Sequence, residues 1–281
     1  MATLQFTSTR DHPRRRHWGM DDIPWQAIKS DEAVYIEELF YLLTTASFMK
    51  MATHCCARNF IGCFADDPAV TLWLTNHWQR EEMQHGVALK QYVQMVWPGL
   101  DWERAYAGFL KDYAHCCDGW SLEPSRSQEL AARCVVEVST AGFYTALRRV
   151  SLDPVLSLLA QHISEDEMRH YKYFHNIFRK YQAIENTSRI RLLQTLWRRL
   201  KLISNSESFI ALKHADAAYH PNEKYCARRH RFIYARCRQL LMPYFPYRMS
   251  VRMLLKPLCL GRRTKYMTTP VAGALARHFV N

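Results

Sequence analysis

The motif Glu-x-x-His occurs twice in this chain, as Glu82-Met-Gln-His85 and as Glu167-Met-Arg-His170. Each copy lies inside a long stretch in which apolar residues recur with the period of a helix. A glutamate and a histidine three residues apart share one helix face, so both side chains can reach one metal ion. A further acid, Glu137, lies on a separate helical stretch. The fold must therefore bring several helices together around these acids and imidazoles.

Helical periodicity dominates the chain, and no segment alternates between apolar and polar residues as a β-strand does. With 281 residues, of which 48% are hydrophobic, the chain can bury a sizeable core. We predict an all-α protein, built as a four-helix bundle with extra helices. Helices are predicted over about 31–64, 68–96, 101–117, 126–150, 154–184 and 188–219.

The charge divides the chain into segments. Residues 222–281 hold 13 lysines and arginines and one acid, so their net charge is +12. This equals the net charge of the whole chain. We predict an irregular leader over 1–20, the helical bundle over 21–221 and a basic C-terminal segment over 222–281, helical only in pieces because prolines interrupt it. A basic segment attracts an acidic partner; a solvated arm lying on the bundle is an equally good interpretation.

The composition indicates a cytoplasmic protein. The N-terminus has no apolar stretch typical of a secretion signal, and no apolar run approaches the roughly 20 residues of a spanning helix. The nine cysteines include no Cys-x-x-Cys pair, which disfavours a disulfide framework or a zinc ribbon. Nucleic-acid binding is disfavoured because only the basic segment supports it.

Reflection across each helical hairpin predicts where the remaining ligand belongs, because residues equally far from a turn lie at the same level in antiparallel helices. In the second hairpin, Glu167 reflects onto Glu137, which is the residue type that a metal site needs. In the first hairpin, Glu82 reflects onto Lys50. The sequence therefore predicts a lysine at the level where a sixth ligand would lie.

His54 and Glu38 are the other candidate ligands in this part of the chain. His54 lies one turn further along the same predicted face and is an alternative extra ligand. Glu38 lies 12 residues before Lys50, roughly 18 Å along a helix, which no carboxylate side chain can span.

Charge limits the number of metal ions. Four carboxylates balance two ferrous ions, whereas three carboxylates and a lysine carry a net charge that one divalent ion balances. Three arrangements follow. One metal binds and Lys50 occupies the place of the second; two metals bind and Lys50 is neutral or turned away; or the core is metal-free and Lys50 pairs with Glu82 or Glu137.

The segments around both motifs resemble the metal helices of the soluble acyl-carrier-protein desaturases, in the ferritin-like di-iron superfamily. A tryptophan one turn before the first motif, Trp78, and an aspartate directly before the second, Asp166, match that pattern. So does Thr140, three residues after Glu137. The resemblance covers about residues 30–185. It implies that Trp78 and Asp166 orient the ligand imidazoles and that Thr140 lies beside the oxygen-binding face.

The resemblance also implies a chemistry. The expected protein is a non-haem iron oxidoreductase that uses O₂ to desaturate or hydroxylate an acyl or other apolar chain. The family holds two iron ions, and Lys50 leaves one ion as the alternative here. The predicted metal ligands are Glu82, His85, Glu137, Glu167 and His170; the predicted catalytic residues are Thr140 and Lys50. Substrate-lining residues are expected among Met83, Phe143, Tyr144 and Met168.

The expected partners follow from the same resemblance. They are an acyl chain carried on an acyl carrier protein, an external electron donor such as a ferredoxin, and a second copy of the chain in a homodimer. The net charge of +12, rather than the resemblance, indicates that the basic segment docks the acidic carrier protein. The alternative is a non-catalytic or single-metal ferritin-like protein that binds a carrier protein, a lipid or a membrane through its basic tail.

Overall fold

The computed structural model of the chain describes residues 17–118 and 122–260. Every regular element within these ranges is a helix, so the predicted all-α class is confirmed. Most of the predicted leader and the last part of the basic segment, residues 261–281, lie outside the described residues. None of the described helices is both long enough and apolar enough to cross a membrane.

Eleven α-helices follow one another along the described residues. They are α1 (Ser30–Ala33), α2 (Glu37–Met51), α3 (Thr53–Gly62), α4 (Pro68–Trp73), α5 (Gln79–Val96), α6 (Trp102–Asp118), α7 (Arg126–Val150), α8 (Pro154–Glu185), α9 (Arg189–Tyr219), α10 (Ala227–Leu241) and α11 (Tyr247–Leu254). A π-helical turn, Leu74–Trp78, joins α4 to α5, and short 3₁₀ helices lie at Met20–Asp22, Trp25–Ala27, Met242–Tyr244 and Lys256–Leu258.

Two helical hairpins carry the motifs. Helices α7 and α8 pack against each other along their lengths, as do α2 and α5. The second hairpin turns at Asp153, whose side chain accepts a hydrogen bond from the Leu156 amide at 2.7 Å. Pro154 occupies the first helical position, where a missing N–H costs nothing. The predicted bounds of α7 and α8 agree with the structure to within about one residue.

The first predicted helix, over 31–64, is wrong as a single element. It is interrupted at residues 34–36 and again at Ala52, where the backbone leaves the helical region with ψ of 1°. Neither interruption contains glycine or proline, the residues that usually mark such breaks. Apolar periodicity continues through both breaks, which is why the sequence pattern did not reveal them.

Two hydrophobic clusters form the interior. The first includes Phe40, Phe48, Tyr92, Trp102 and Tyr144, and the second includes Phe60, Phe64, Trp78, Phe174 and Phe178. Tyr144 from the first cluster and Trp78 from the second border the same group of buried acids and imidazoles. The polar site therefore lies between two well-packed apolar regions.

The described part of the basic segment packs on the body of the protein. Helix α10 contacts α2, α7 and α9. Arg229 forms a forked pair with the buried carboxylate of Asp216, which also accepts a 2.6 Å hydrogen bond from Tyr41. Arg236 binds Glu37 and Glu38 at the start of α2. Residues 227–241 are thus held to the bundle by specific ion pairs.

Candidate metal centre

Four helices contribute to one buried polar cluster. Each member of the cluster is no more than 6% exposed. Helix α2 supplies Lys50, α5 supplies Glu82 and His85, α7 supplies Glu137, and α8 supplies Glu167 and His170. Since helical spacing places the acid and the histidine of each motif on one face, both motifs point into the space between the hairpins.

Lys50 lies inside this cluster at the level that reflection predicts. Its Nζ donates to Glu82 Oε2 and to Glu167 Oε1, each at 2.6 Å. Burial alone would lower the pKa of Lys50, but the neighbouring carboxylates of Glu167 and Glu82 raise it well above its ordinary value. The lysine therefore carries its positive charge between two carboxylates. It pairs with Glu82, as one alternative expected, and with Glu167 on α8 rather than with Glu137 on α7.

The acid that precedes each motif supports the histidine of the other motif. Asp166 Oδ2 lies 2.8 Å from His85 Nε2, and Glu81 Oε2 lies 2.7 Å from His170 Nε2. A carboxylate can only accept, so each imidazole donates from Nε2 and turns its Nδ1 towards the cluster. The sequence analysis expected Asp166 in this role and missed Glu81. The missed signal is that Glu81 precedes Glu82 as Asp166 precedes Glu167.

Trp18 joins this outer layer from the end of the predicted leader. Its Nε1 donates to Asp166 Oδ2 at 2.8 Å, and its ring lies parallel to that of His85 with centroids 6.0 Å apart. The indole is 7% exposed. The chain before the first helix therefore closes one side of the cluster, which composition alone did not indicate.

Thr140 and Trp78 hold carboxylate oxygens. Thr140 Oγ1 donates to Glu167 Oε2 at 2.6 Å, and Trp78 Nε1 donates to Glu137 Oε1 at 3.3 Å. Trp78 thus contacts a carboxylate, whereas the resemblance implied an imidazole. Both oxygens of Glu167 are engaged, one by Thr140 and the other by Lys50.

Three inward-facing atoms remain at one point of the cluster. Glu82 Oε1, Glu137 Oε2 and His170 Nδ1 are buried and have no hydrogen-bond partner among the described residues. His170 Nδ1 lies 3.4 Å from each of the two oxygens. With Glu167, these residues offer ligand atoms within 4.8 Å of one another. Orphaned buried polar atoms are costly, and a cation between them would satisfy all three. The donor set fits one divalent metal ion.

His85 Nδ1 is also buried without a hydrogen-bond partner among the described residues. It lies 3.2 Å from Glu167 Oε1, the oxygen that Lys50 binds, and 3.9 Å from Glu82 Oε1. The ammonium group therefore lies where His85 and two carboxylates would otherwise meet a second cation.

Protonation offsets the cluster's charge when no metal is bound. Burial, with the nearby charge of Glu167, raises the pKa of Glu137 to about 7. Burial would lower the pKa of His170, but its carboxylate neighbours Glu137, Glu81 and Glu82 raise it well above its ordinary value. Three carboxylates and one ammonium group carry a net charge that one divalent cation would cancel.

His54 does not join the cluster. Its side chain is exposed, and Nδ1 lies 2.9 Å from the backbone oxygen of Met51. The break at Ala52 separates it from α2, so it no longer shares a continuous helix face with Lys50.

A cavity of about 420 Å³ opens beside the cluster. Lys50, Glu137 and Thr140 line one end, and apolar side chains of α2, α7, α9 and α10 line most of the rest. Phe143 and Tyr144 are among these wall residues, as the sequence analysis expected. Met83 and Met168 are not; Met168 packs on the second hydrophobic cluster. Helix α10 of the basic segment thus forms part of the wall.

Comparison with known proteins gives no match to any family model, curated protein or solved structure.

Proposed function

We propose that this chain is a ferritin-like non-haem iron oxidoreductase with a single metal position, acting with O₂ on an acyl or other apolar chain. One observation carries the proposal. The Lys50 ammonium bridges Glu82 and Glu167, so that only Glu82 Oε1, Glu137 Oε2 and His170 Nδ1 converge on an open position. The lysine takes the place that a second cation occupies in a di-iron bundle.

The arrangement of the helices supports a ferritin-like relationship. Such bundles draw one glutamate from each of two helices and Glu-x-x-His from each of the other two. Here α5 and α8 carry the two motifs, α7 carries Glu137 and α2 carries Lys50 at the remaining place. The only departure from this six-residue set is that a lysine, Lys50, stands where the set has a glutamate.

The donor chemistry supports iron. One imidazole nitrogen and two carboxylate oxygens are donor types that divalent first-row metals accept, iron among them. Bound ferrous iron would supply the electrons and the coordination site with which O₂ is activated. Glu81 holds His170 in the tautomer that presents Nδ1, and Trp78 fixes the orientation of Glu137.

The remaining residues have roles that follow from their contacts. Lys50 lines the cavity, and its third N–H, which is not used in the hydrogen bonds to Glu82 and Glu167, can donate to a group at the cavity end of the cluster. Thr140 lines the same end and holds Glu167 in place. The apolar part of the lining would hold an apolar chain against these groups. Electrons would come from an external donor such as a ferredoxin.

Product analysis tests this function. The iron-loaded protein is incubated with O₂, a reductant with ferredoxin, and acyl chains, both free and bound to an acyl carrier protein, and the products are analysed by mass spectrometry. The expected product has lost two hydrogens or gained one oxygen atom from labelled O₂. Glu137→Gln should abolish it, whereas Glu103→Gln, on the surface of α6, should not. An iron-loaded protein that consumes no O₂ with any of these chains would contradict the proposal.

A further inference from the structure

Helix α9 carries an exposed apolar stripe. Ile190, Leu193 and Trp197 are 71%, 55% and 61% exposed. Their spacing of three and four residues places them on one face of the helix. Leu192 and Leu196, on the opposite side, are buried in the second hydrophobic cluster. The helix is therefore anchored by one apolar face and presents another to its surroundings.

This stripe differs from ordinary surface hydrophobics. Single exposed apolar side chains, such as Leu72 and Leu152, are normal on a soluble protein and need no explanation. Three large side chains in a row, one of them a tryptophan, form a continuous patch, and such patches mark interaction sites.

The stripe is flanked by positive charge. Residues 189–206 contain five lysines and arginines and no acid. Arg189 and Arg191 lie beside the stripe, and Lys201 lies over the Trp197 ring, 5.1 Å from its centroid. Arg198 is paired with Glu123 and adds no net charge. Arg199 is buried against Glu123 and Glu129, so it does not contribute to the exposed charge either. Arg189 donates to the backbone oxygen of Cys259, which leaves its charge uncancelled.

An apolar centre that includes a tryptophan, with cationic side chains at its edges, has the chemistry of a lipid–water interface. The apolar groups enter the acyl boundary while the cations meet anionic headgroups.

Further along the same helix, Leu202 lines the cavity. We propose that residues 189–202 bind the surface of an anionic lipid bilayer. This binding stands independently of any metal and of the proposed function.

Vesicle co-sedimentation of the full chain tests the binding. The vesicles contain phosphatidylcholine alone or together with phosphatidylglycerol. The expected result is a clear preference for the anionic vesicles that weakens with added salt. The triple change Ile190→Ser, Leu193→Ser and Trp197→Ser should lower the partition coefficient roughly 100-fold by removing apolar burial. Each of Arg191→Gln and Lys201→Gln should lower it about fivefold.

The matched controls are Leu72→Ser and Leu152→Ser, which remove equally exposed apolar groups elsewhere and should leave binding unchanged. Circular dichroism and the melting temperature report on folding, and the two glutamine variants alter only exposed side chains. Equal binding to neutral and anionic vesicles, or undiminished binding by the triple variant, would overturn the proposal. So would a triple variant that changes only the oligomeric state on gel filtration, since the stripe would then join copies of the chain.

Discussion

The ammonium nitrogen of Lys50 lies 2.6 Å from Oε1 of Glu167, in a region where both side chains are almost completely buried. A buried charge is tolerated only when it is paired and hydrogen-bonded. Glu167 receives a second hydrogen bond from Thr140, and Lys50 makes a second one to Glu82. The pair therefore fixes α2 to α8 beside the group of residues that could hold a metal ion.

Removing the lysine should destabilise the metal-free protein. Lys50→Met leaves the carboxylates of Glu82 and Glu167 without their cation, and breaking such a buried pair costs roughly 3–5 kcal/mol. Urea denaturation with a chelator present measures this loss. Lys90→Met is the control, because Lys90 pairs with the exposed Glu103 and should lose less than about 1 kcal/mol. Equal losses in the two variants would show that Lys50 makes no buried pair.

Glu81 should control metal affinity without being a ligand. Its carboxylate holds the His170 imidazole in the tautomer that presents Nδ1 to the cluster. Removing such an outer partner typically lowers metal affinity 10- to 100-fold, so we expect that loss for Glu81→Gln in a ferrous-iron titration. Asp166→Asn alters the support of His85. His85 faces the position that Lys50 fills, so this variant should lose less affinity than Glu81→Gln; a larger loss would place the metal beside His85.

The stability of the metal-free protein should fall as pH rises from about 5 to 8. Burial raises the pKa of Glu137 to about 7, and the carboxylates around His170 raise its pKa well above the ordinary value. Both groups then bind more protons in the folded than in the unfolded state over this window, so deprotonation favours unfolding. Lys50, which also faces the cluster, stays charged throughout. Melting temperatures with a chelator, measured across the window, check the direction.

Two comparisons isolate that pH effect. Glu137→Gln removes one of the groups whose pKa is raised, which also include His85 and His170, and should flatten the decline. Saturating metal should reverse it, because ligands must be deprotonated to bind a metal ion. If the melting temperature of the metal-free protein rose between pH 5 and 8, the folded state would not bind more protons than the unfolded state, which would contradict this prediction.

Gly86 allows α2 and α5 to approach closely. A Cβ at this position would lie 2.8 Å from the backbone nitrogen of Met51, which cannot yield as a side chain can. Gly86→Ala should therefore push α2 away, weaken the contact between Lys50 and Glu82, and destabilise the fold by roughly 1–3 kcal/mol. Gly62→Ala is the matched control, since a Cβ there meets nothing within 4 Å. Thermal denaturation measures both variants. A lower melting temperature for Gly62→Ala than for Gly86→Ala would contradict the close packing of α2 on α5.

Local pattern was sufficient to predict part of this structure. Helical period and the Asp-Pro turn located α7 and α8, and reflection located Lys50 at the level of Glu82, because level in an antiparallel hairpin depends only on distance from the turn. The support of His85 by Asp166 also agrees with what the resemblance implied.

Other features depend on contacts between distant segments and could not be predicted in this way. Reflection gives the level of a residue but not its rotation, so it could not decide whether Lys50 pairs with Glu137 or Glu167. The docking of α10 depends on the pairing of Arg229 with Asp216 and of Arg236 with Glu38. Helical periodicity in the sequence does not reveal such pairs. The cavity wall that α10 provides was missed for the same reason.

Metal content after anaerobic loading with ferrous iron tests the central claim most directly. The wild-type chain should bind about one iron, since its three carboxylates and Lys50 leave a charge that one divalent ion cancels. Lys50→Glu would give the chain the six ligand types of a di-iron bundle and should bind about two. The exposed Lys224→Glu is the control and should match the wild type. About two irons in the wild type, or none in either protein, would contradict the assignment of Lys50 as the substitute for a second metal ion.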